Sequence, residues 1–215
     1  MMAPAHVLFG LLVGLGVSGG AVDQGILAAA VTGSLVPDFD FLLKHRKSLH
    51  FPIYGTILGC LITVNGLIFE LYVLIVIGTA LLCVGVHSVL DIFGGVLGLR
   101  PWEKDSGNLV YNHYEDSWIS NSDISFGVGY DGSPLDLLVT TVISFTLILS
   151  YSNTTLRAFV LLLLLIGCLY SVLRKRLVQA VLILVNYTPK PVIESSQLLE
   201  DLREEAKSSE KATEE

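Results

Sequence analysis

Long stretches without a charged residue alternate with short polar breaks along this chain. Residues 53–69 carry no charge over 17 positions, and residues 71–90 carry none over 20. Residues 137–156 and 158–173 are likewise uncharged. A helix that crosses the hydrocarbon core needs about 20 mostly apolar residues, and four such runs would leave a soluble protein little surface to offer water. The pattern predicts helices over about 6–17, 25–35, 53–69, 71–91, 137–151 and 156–173. Gly10 and Gly14, four residues apart, would let a neighbouring helix approach closely. Ser18-Gly19-Gly20 reads as a turn, Asp23 as an N-cap, Glu70 as a tight connection, and Ser133 as a cap ahead of the fifth helix. Residues 94–136 are polar and read as an extended loop. Residues 177–187 are apolar but too short to span, and are expected to lie at the membrane interface. The chain shows no internal repeat.

The fold class expected is an all-α integral membrane protein, a bundle of about six transmembrane helices over residues 1–188. Residues 189–215 carry eight acids against four bases, so this tail supplies −4 of the formal −7. With almost no aromatic or β-branched content it cannot offset its ordering entropy, and it reads as a disordered, cytoplasmic acidic tail. Composition agrees: 52% of residues are hydrophobic and only 15% charged, against about 25% charged in soluble domains. No basic face exists for nucleic acid. Cys60, Cys83 and Cys168 lie inside apolar runs without paired spacing and read as small buried hydrophobes. The first apolar stretch lacks the Lys or Arg that precedes a secretory signal, so cleavage is not expected.

Orientation follows from the basic residues. Lys44, Arg46 and Lys47 lie between the second and third helices, Arg100 and Lys104 after the fourth, and Arg174, Lys175 and Arg176 after the sixth. With six spans all eight fall on one side, the cytoplasmic one. The expectation is a multi-pass protein of the cell (inner) membrane with both termini cytoplasmic.

That topology brings scattered ionisable residues to one level. His6 begins the first helix, Asp38 and Asp40 end the second, His45 and His50 lie in the following loop, and His87 and Asp91 end the fourth helix. His87 and Asp91, at i and i+4, share one helix face, so imidazole and carboxylate can bind one ion, or the carboxylate can bridge two. Ionisable groups after a long apolar run are expensive and usually functional. In Pro37-Asp38-Phe39-Asp40 the proline ends the helix, and alternate carboxylates in an extended segment face opposite ways. One can then bind an ion while the other orients an imidazole. His and carboxylate ligands without Cys suit a divalent metal ion, zinc first, with manganese or iron as alternatives. Arg46 could hold an anionic group such as phosphate, and Asp38 or Asp91 could act as general base. His113, Glu115, Asp116 and Trp118 in the long loop are candidates for closing over the site.

The order of these motifs, His6, then PDFD at 37–40, HRKSLH at 45–50 and HSVLD at 87–91, followed by glycine-rich sequence and Pro101-Trp102, resembles the YdjM (DUF457) family. The likeness covers about residues 1–102. It implies a membrane-bound metal-dependent hydrolase whose metal-site residues are His6, Asp38, Asp40, His45, His50, His87 and Asp91, with Arg46 in the same His-Arg pair. Two positions depart from the pattern. Phe51 follows His50 where the family usually has Ser, and Phe93-Gly94-Gly95 replaces a Thr-Pro stretch. The HxxxD element is also similar to one in zinc-dependent phospholipase C and P1-type nucleases. The function expected is hydrolysis of a phosphoester, a lipid being one candidate, through metal-activated water at the cytoplasmic face, with the bilayer itself as the main partner. The rival expectation is a non-enzymatic membrane protein in which a structural metal or hydrogen-bonded polar cluster staples the helices and the tail recruits a protein partner.

Overall fold

The computed structural model describes residues 1–42, 46–94, 108–120, 127 and 131–187. The chain is mostly helical, with six α-helices among the described residues: α1 Ala3–Val17, α2 Gln24–Leu35, α3 Pro52–Ile68, α4 Tyr72–Gly94, α5 Pro134–Ser150 and α6 Thr154–Tyr187. Their starts are set locally. The Asp23 carboxylate accepts from Ile26 N at 2.9 Å and the Ser133 hydroxyl accepts from Asp136 N at 3.1 Å, while Pro4, Pro52 and Pro134 occupy first-turn positions whose N–H groups need no helical partner. Between α3 and α4 the Leu71 amide reaches back to the Gly66 carbonyl at 2.8 Å, with Glu70 at φ 55° in the left-handed position usually held by glycine.

Three elements differ from the sequence expectation. After α2 the chain does not extend but tightens into a 3-10 helix, Val36–Leu42. Pro37 has no N–H to give to an α-helical ladder, and the tighter winding still separates Asp38 from Asp40 around the axis. The polar stretch after α4 contains an antiparallel hairpin, β1 Asn108–Asn112 with β2 Ser117–Ser120. α6 continues unbroken through Tyr187, so residues 177–187 prolong the sixth helix and are not a separate segment. The acidic tail and His45 lie outside the described residues.

α3 and α4 run antiparallel with their backbones nearly touching. A Cβ added at Gly59 would stand 2.2 Å from Leu82 N, and one at Gly85 would stand 2.3 Å from Thr56 N. Gly10 and Gly14 face α2 at Ser34 and Ala30, as their spacing predicts. On the other side, Leu8, Leu11 and Leu15 of α1 pack with Ile143 and Leu147 of α5 and Val160 and Leu163 of α6 in an aliphatic cluster.

The distribution of residue types is the reverse of a soluble domain. Buried positions of α3 and α4 include Gly55, Gly59, Thr63, Gly66, Gly78, Thr79, Ser88, His87 and Asp91. Outward positions are Ile57, Leu61, Val64 and Ile68 on α3, Leu138, Val142, Phe145 and Leu149 on α5, and Leu161, Leu165, Leu169 and Val172 on α6, all exposed. Cys60 also faces outward, against the expectation of burial, whereas Cys83 is buried and Cys168 half-buried. Two stretches, Tyr72–Gly94 of 23 residues and Thr154–Arg174 of 21, are long and apolar enough to cross a membrane; Ala3–Val17, Pro52–Ile68 and Pro134–Ser150 are shorter apolar helices.

Candidate metal centre

The carboxylate of Asp91, in the last turn of α4, is the meeting point of four elements. Its Oδ1 lies 3.1 Å from His6 Nε2 of α1, and its Oδ2 lies 3.1 Å from His50 Nε2 in the loop before α3. His87 Nε2, one turn earlier on α4, is 3.4 Å from Asp91 Oδ2 and 3.4 Å from Asp38 Oδ1. Arg46 Nε stands 3.7 Å from Asp91 Oδ2. Asp40 takes the other side of His50, with Oδ2 2.9 Å from Nδ1. The structure thus brings together His6, Asp38, Asp40, Arg46, His50, His87 and Asp91; the eighth expected residue, His45, is outside the described residues.

Hydrogen bonds orient the imidazole rings. His87 Nδ1 donates to the Ser34 carbonyl at 2.6 Å, which turns its buried Nε2 toward the carboxylates of Asp38 and Asp91, where it makes no well-formed hydrogen bond. His6 Nε2 donates to the Met1 carbonyl at 3.1 Å, which leaves its Nδ1 lone pair buried and unpartnered. The two rings lie 3.8 Å apart between centroids, and His50 meets His87 edge-on at 5.2 Å. Ligating atoms of His6, His87 and Asp91 fall within 4.8 Å of one another, so these three form a group that could hold a metal ion. Buried imidazole nitrogens without partners cost free energy in an apolar interior, and a divalent cation is the partner that such lone pairs fit.

His50 behaves differently. Burial disfavours its charged form, but the hydrogen bonds it donates to Asp40 and Asp91 outweigh that cost and raise its pKa. As an imidazolium it donates to both carboxylates; as a neutral ring pinned by Asp40 it would turn an Nε2 lone pair toward Asp91.

Arg46 is buried, with its backbone at φ 56°. A non-glycine residue there carries strain of about 1–3 kcal/mol unless its surroundings hold it. The hairpin supplies the hold: Tyr111 N donates to the Arg46 carbonyl at 3.0 Å, and Arg46 Nη1 approaches the Leu109 carbonyl at 3.5 Å. His113 Nε2 donates to the Lys47 carbonyl at 2.7 Å and its ring stacks on Phe51 at 4.8 Å, while Lys47 Nζ sits 3.5 Å above the Tyr111 ring. His113 therefore clamps the loop, not the centre itself. Glu115 is bonded by Asn112, Asp116 by the Tyr111 hydroxyl, and Trp118 stands edge-on to Tyr111, so these three remain within the hairpin.

Several contributors were not expected from sequence. The Ser34 carbonyl that orients His87 and the Ser88 hydroxyl that accepts from Phe51 N at 3.0 Å carry no side-chain signature of a site. Asp131, within the stretch that reads from sequence as an extended loop, lies 2.9 Å from the Met1 amino nitrogen, which is also 3.1 Å from Asp91 Oδ1. Two carboxylates near one cation were discoverable only through contact across the fold.

No family model matches the chain, and no curated protein or solved structure matches it either. Function must therefore be argued from the centre and the surface that surrounds it.

Proposed function

We propose that this protein is a multi-pass membrane protein that uses a divalent metal ion, zinc before manganese or iron, to hydrolyse a phosphoester at the cytoplasmic face. The observation that carries this reading is the convergence of buried imidazoles on one buried carboxylate, with His6 Nδ1 and His87 Nε2 making no hydrogen bond. The likeness of its motif order to the YdjM family points the same way.

The membrane half of the proposal rests on the outward apolar faces of α3 to α6. Large exposed patches of this kind mark an apolar environment or a partner, and here they encircle helices whose interiors are glycine, threonine and serine, the small residues favoured where helices pack in lipid. On α4, 21 residues separate Tyr72 from Phe93, which is about 31 Å at 1.5 Å per residue, close to the thickness of the hydrocarbon core. Six spans would place the centre and the Lys and Arg clusters together on the cytoplasmic side.

His6, His87 and Asp91 would hold the ion, with His50 and Asp38 beside them. A divalent cation bound there supplies Lewis acidity toward a phosphoryl oxygen and acidifies water at neutral pH. Arg46, charged and with an Nε that makes no hydrogen bond beside Asp91, is placed to hold an anionic oxygen. Asp40 keeps His50 in one orientation. Asp38, with its side chain 41% exposed, is the carboxylate able to exchange a proton with the surroundings, the requirement for a general base.

The rival reading is a polar staple without chemistry. It draws on the fact that Asp91 already has the Met1 amino nitrogen, His6 and His50 within 3.1 Å. Metal analysis of detergent-purified protein, beside His87→Ala and Asp91→Ala, separates the two. The expected result is near-stoichiometric metal that both substitutions remove, together with metal-dependent phosphate release. Wild-type protein that stays metal-free after reconstitution would sink the hydrolase and leave the staple.

A further inference from the structure

Among the described residues, the centre is buried except at one carboxylate. His6, Asp40, Arg46, His50, His87 and Asp91 are all buried. Among the described residues of the cluster only Asp38 reaches the surface, 41% of its side chain being exposed. Among the described residues, the exposed approach to the centre is therefore the 3-10 helix that carries Asp38.

Two observations say what surrounds that opening. Over the ends of the helices, where water would otherwise approach, lies the hairpin. Leu109, Val110 and Tyr111 are buried there, and the strand is bonded to the loop of Arg46 and Lys47. Beside Asp38, by contrast, Phe39 points outward and is 61% exposed. Tyr54 and Phe93 are exposed at the same end of the bundle. Because Gly55 packs against Gly85, Tyr54 lies within about two turns of His87 along α4. Phe69 and Tyr72 are exposed at the far end. Aromatic side chains gather at the two membrane–water interfaces, so the centre stands at the depth of one such ring, where lipid headgroups lie. Among the described residues, the side chain exposed next to Asp38 on the 3-10 helix is the aromatic Phe39.

We infer that the substrate is an anionic amphiphile, a phosphoester carrying hydrocarbon chains, which reaches the centre laterally from the bilayer past Asp38 and Phe39. Its phosphoryl group would enter between Asp38 and Arg46 while its chains remain outside beside Phe39. A soluble phosphoester offers the same head chemistry but gains nothing from the apolar rim. This inference rests on the reading of the centre as a phosphoester site, and the test keeps the two apart.

The full chain is reconstituted with zinc in lipid nanodiscs and irradiated with phosphatidic acid that bears a diazirine on the first carbons of one acyl chain. Labelled peptides are mapped, with dioleoyl phosphatidic acid or glycerol 3-phosphate as competitors. The expected result is label concentrated on residues 36–39 and displaced by the lipid but not by glycerol 3-phosphate. Phe39→Ser should weaken that label several-fold, whereas Leu149→Ser, equally apolar and exposed on α5, should leave it unchanged; metal content reports that both variants stay folded. Label spread evenly over the apolar faces, or equal competition by glycerol 3-phosphate, would overturn the lateral route. Phosphate release is read separately. Specific labelling without release in metal-loaded protein supports the route and removes hydrolysis.

Discussion

Between α3 and α4 the chains meet backbone to backbone, whereas α1, α5 and α6 meet through leucine, isoleucine and valine side chains. The first contact leaves no room for even one added carbon, since a Cβ at Gly59 or Gly85 would fall far inside van der Waals distance of a main-chain nitrogen. The second contact is made of branched side chains that can shift rotamer and partly fill a void. The candidate metal centre is attached to the unyielding side. His87 and Asp91 ride on α4, the Ser34 carbonyl that orients His87 rides on α2, and α2 is locked to α4 where a Cβ at Gly33 would lie 2.1 Å from the Ala80 carbonyl oxygen. Only His6 comes from the aliphatic side. Positional precision at the centre thus comes from helices without side chains between them, and the aliphatic cluster supplies cohesion.

The largest effect should come from breaking the glycine seam. Gly59→Leu inserts a side chain against the backbone of Leu82, which no rotamer can clear. The cost should exceed the roughly 1–3 kcal/mol of ordinary overpacking. The expected outcome is loss of a monodisperse folded peak on size exclusion in detergent, with no bound metal in what remains. A folded, metal-loaded variant would show that α3 and α4 can separate without disturbing the centre.

A smaller effect should follow from the other side. Leu147 is 1% exposed within the aliphatic cluster. Leu147→Ala should cost about 2–4 kcal/mol by leaving a cavity, seen as a lower midpoint of thermal unfolding in detergent, with metal content unchanged. If metal were lost as well, the two sides of the bundle would not be mechanically separable.

The smallest effect lies at the far end, where the Tyr72 hydroxyl donates to Asp23 Oδ1 at 2.7 Å and joins the start of α4 to the cap of α2. The hydrogen bond from Ile26 N, and then that from Tyr72, hold the Asp23 carboxyl below its ordinary pKa of 3.8. A carboxylate lowered on folding stabilises fully above its unfolded value, and that contribution disappears as pH falls through the folded value. Tyr72→Phe should therefore lower the midpoint slightly at neutral pH, and the difference from wild type should vanish in strong acid. A difference that persisted unchanged at low pH would mean that Tyr72 acts through packing alone.

Much of the local architecture was legible. The uncharged runs locate the helices, Asp23 and Ser133 mark helix starts, Glu70 marks the tight turn, and Gly10 with Gly14 marks a helix contact, because each is a property of a few neighbouring residues. The convergence of His6, Asp38, His50, His87 and Asp91 could also be anticipated, because the distribution of Lys and Arg assigns each helix end to a side. The 3-10 winding after Pro37 was missed, since a proline announces the end of α-helical bonding but not what replaces it. The hairpin was missed because its strands are short and its partner is a loop distant in sequence. The basic run at Arg174–Arg176 looked like a boundary, yet long basic side chains sit readily on a helix that leaves an apolar environment.

The sequence alone determined the helical segments, their caps and turns, and the sparse stock of His and Asp residues, because periodicity, capping and charge act within a few residues. Tertiary structure alone decided that Asp91 meets His50, 41 positions away, and the Met1 amino nitrogen, 90 positions away. It also decided that His87 is turned by a backbone carbonyl and that Asp38 is the exposed member of the described cluster. Those outcomes depend on the rotation and register of one helix against another. That register is set where glycines let two backbones touch, a contact that neither partner's local sequence encodes by itself.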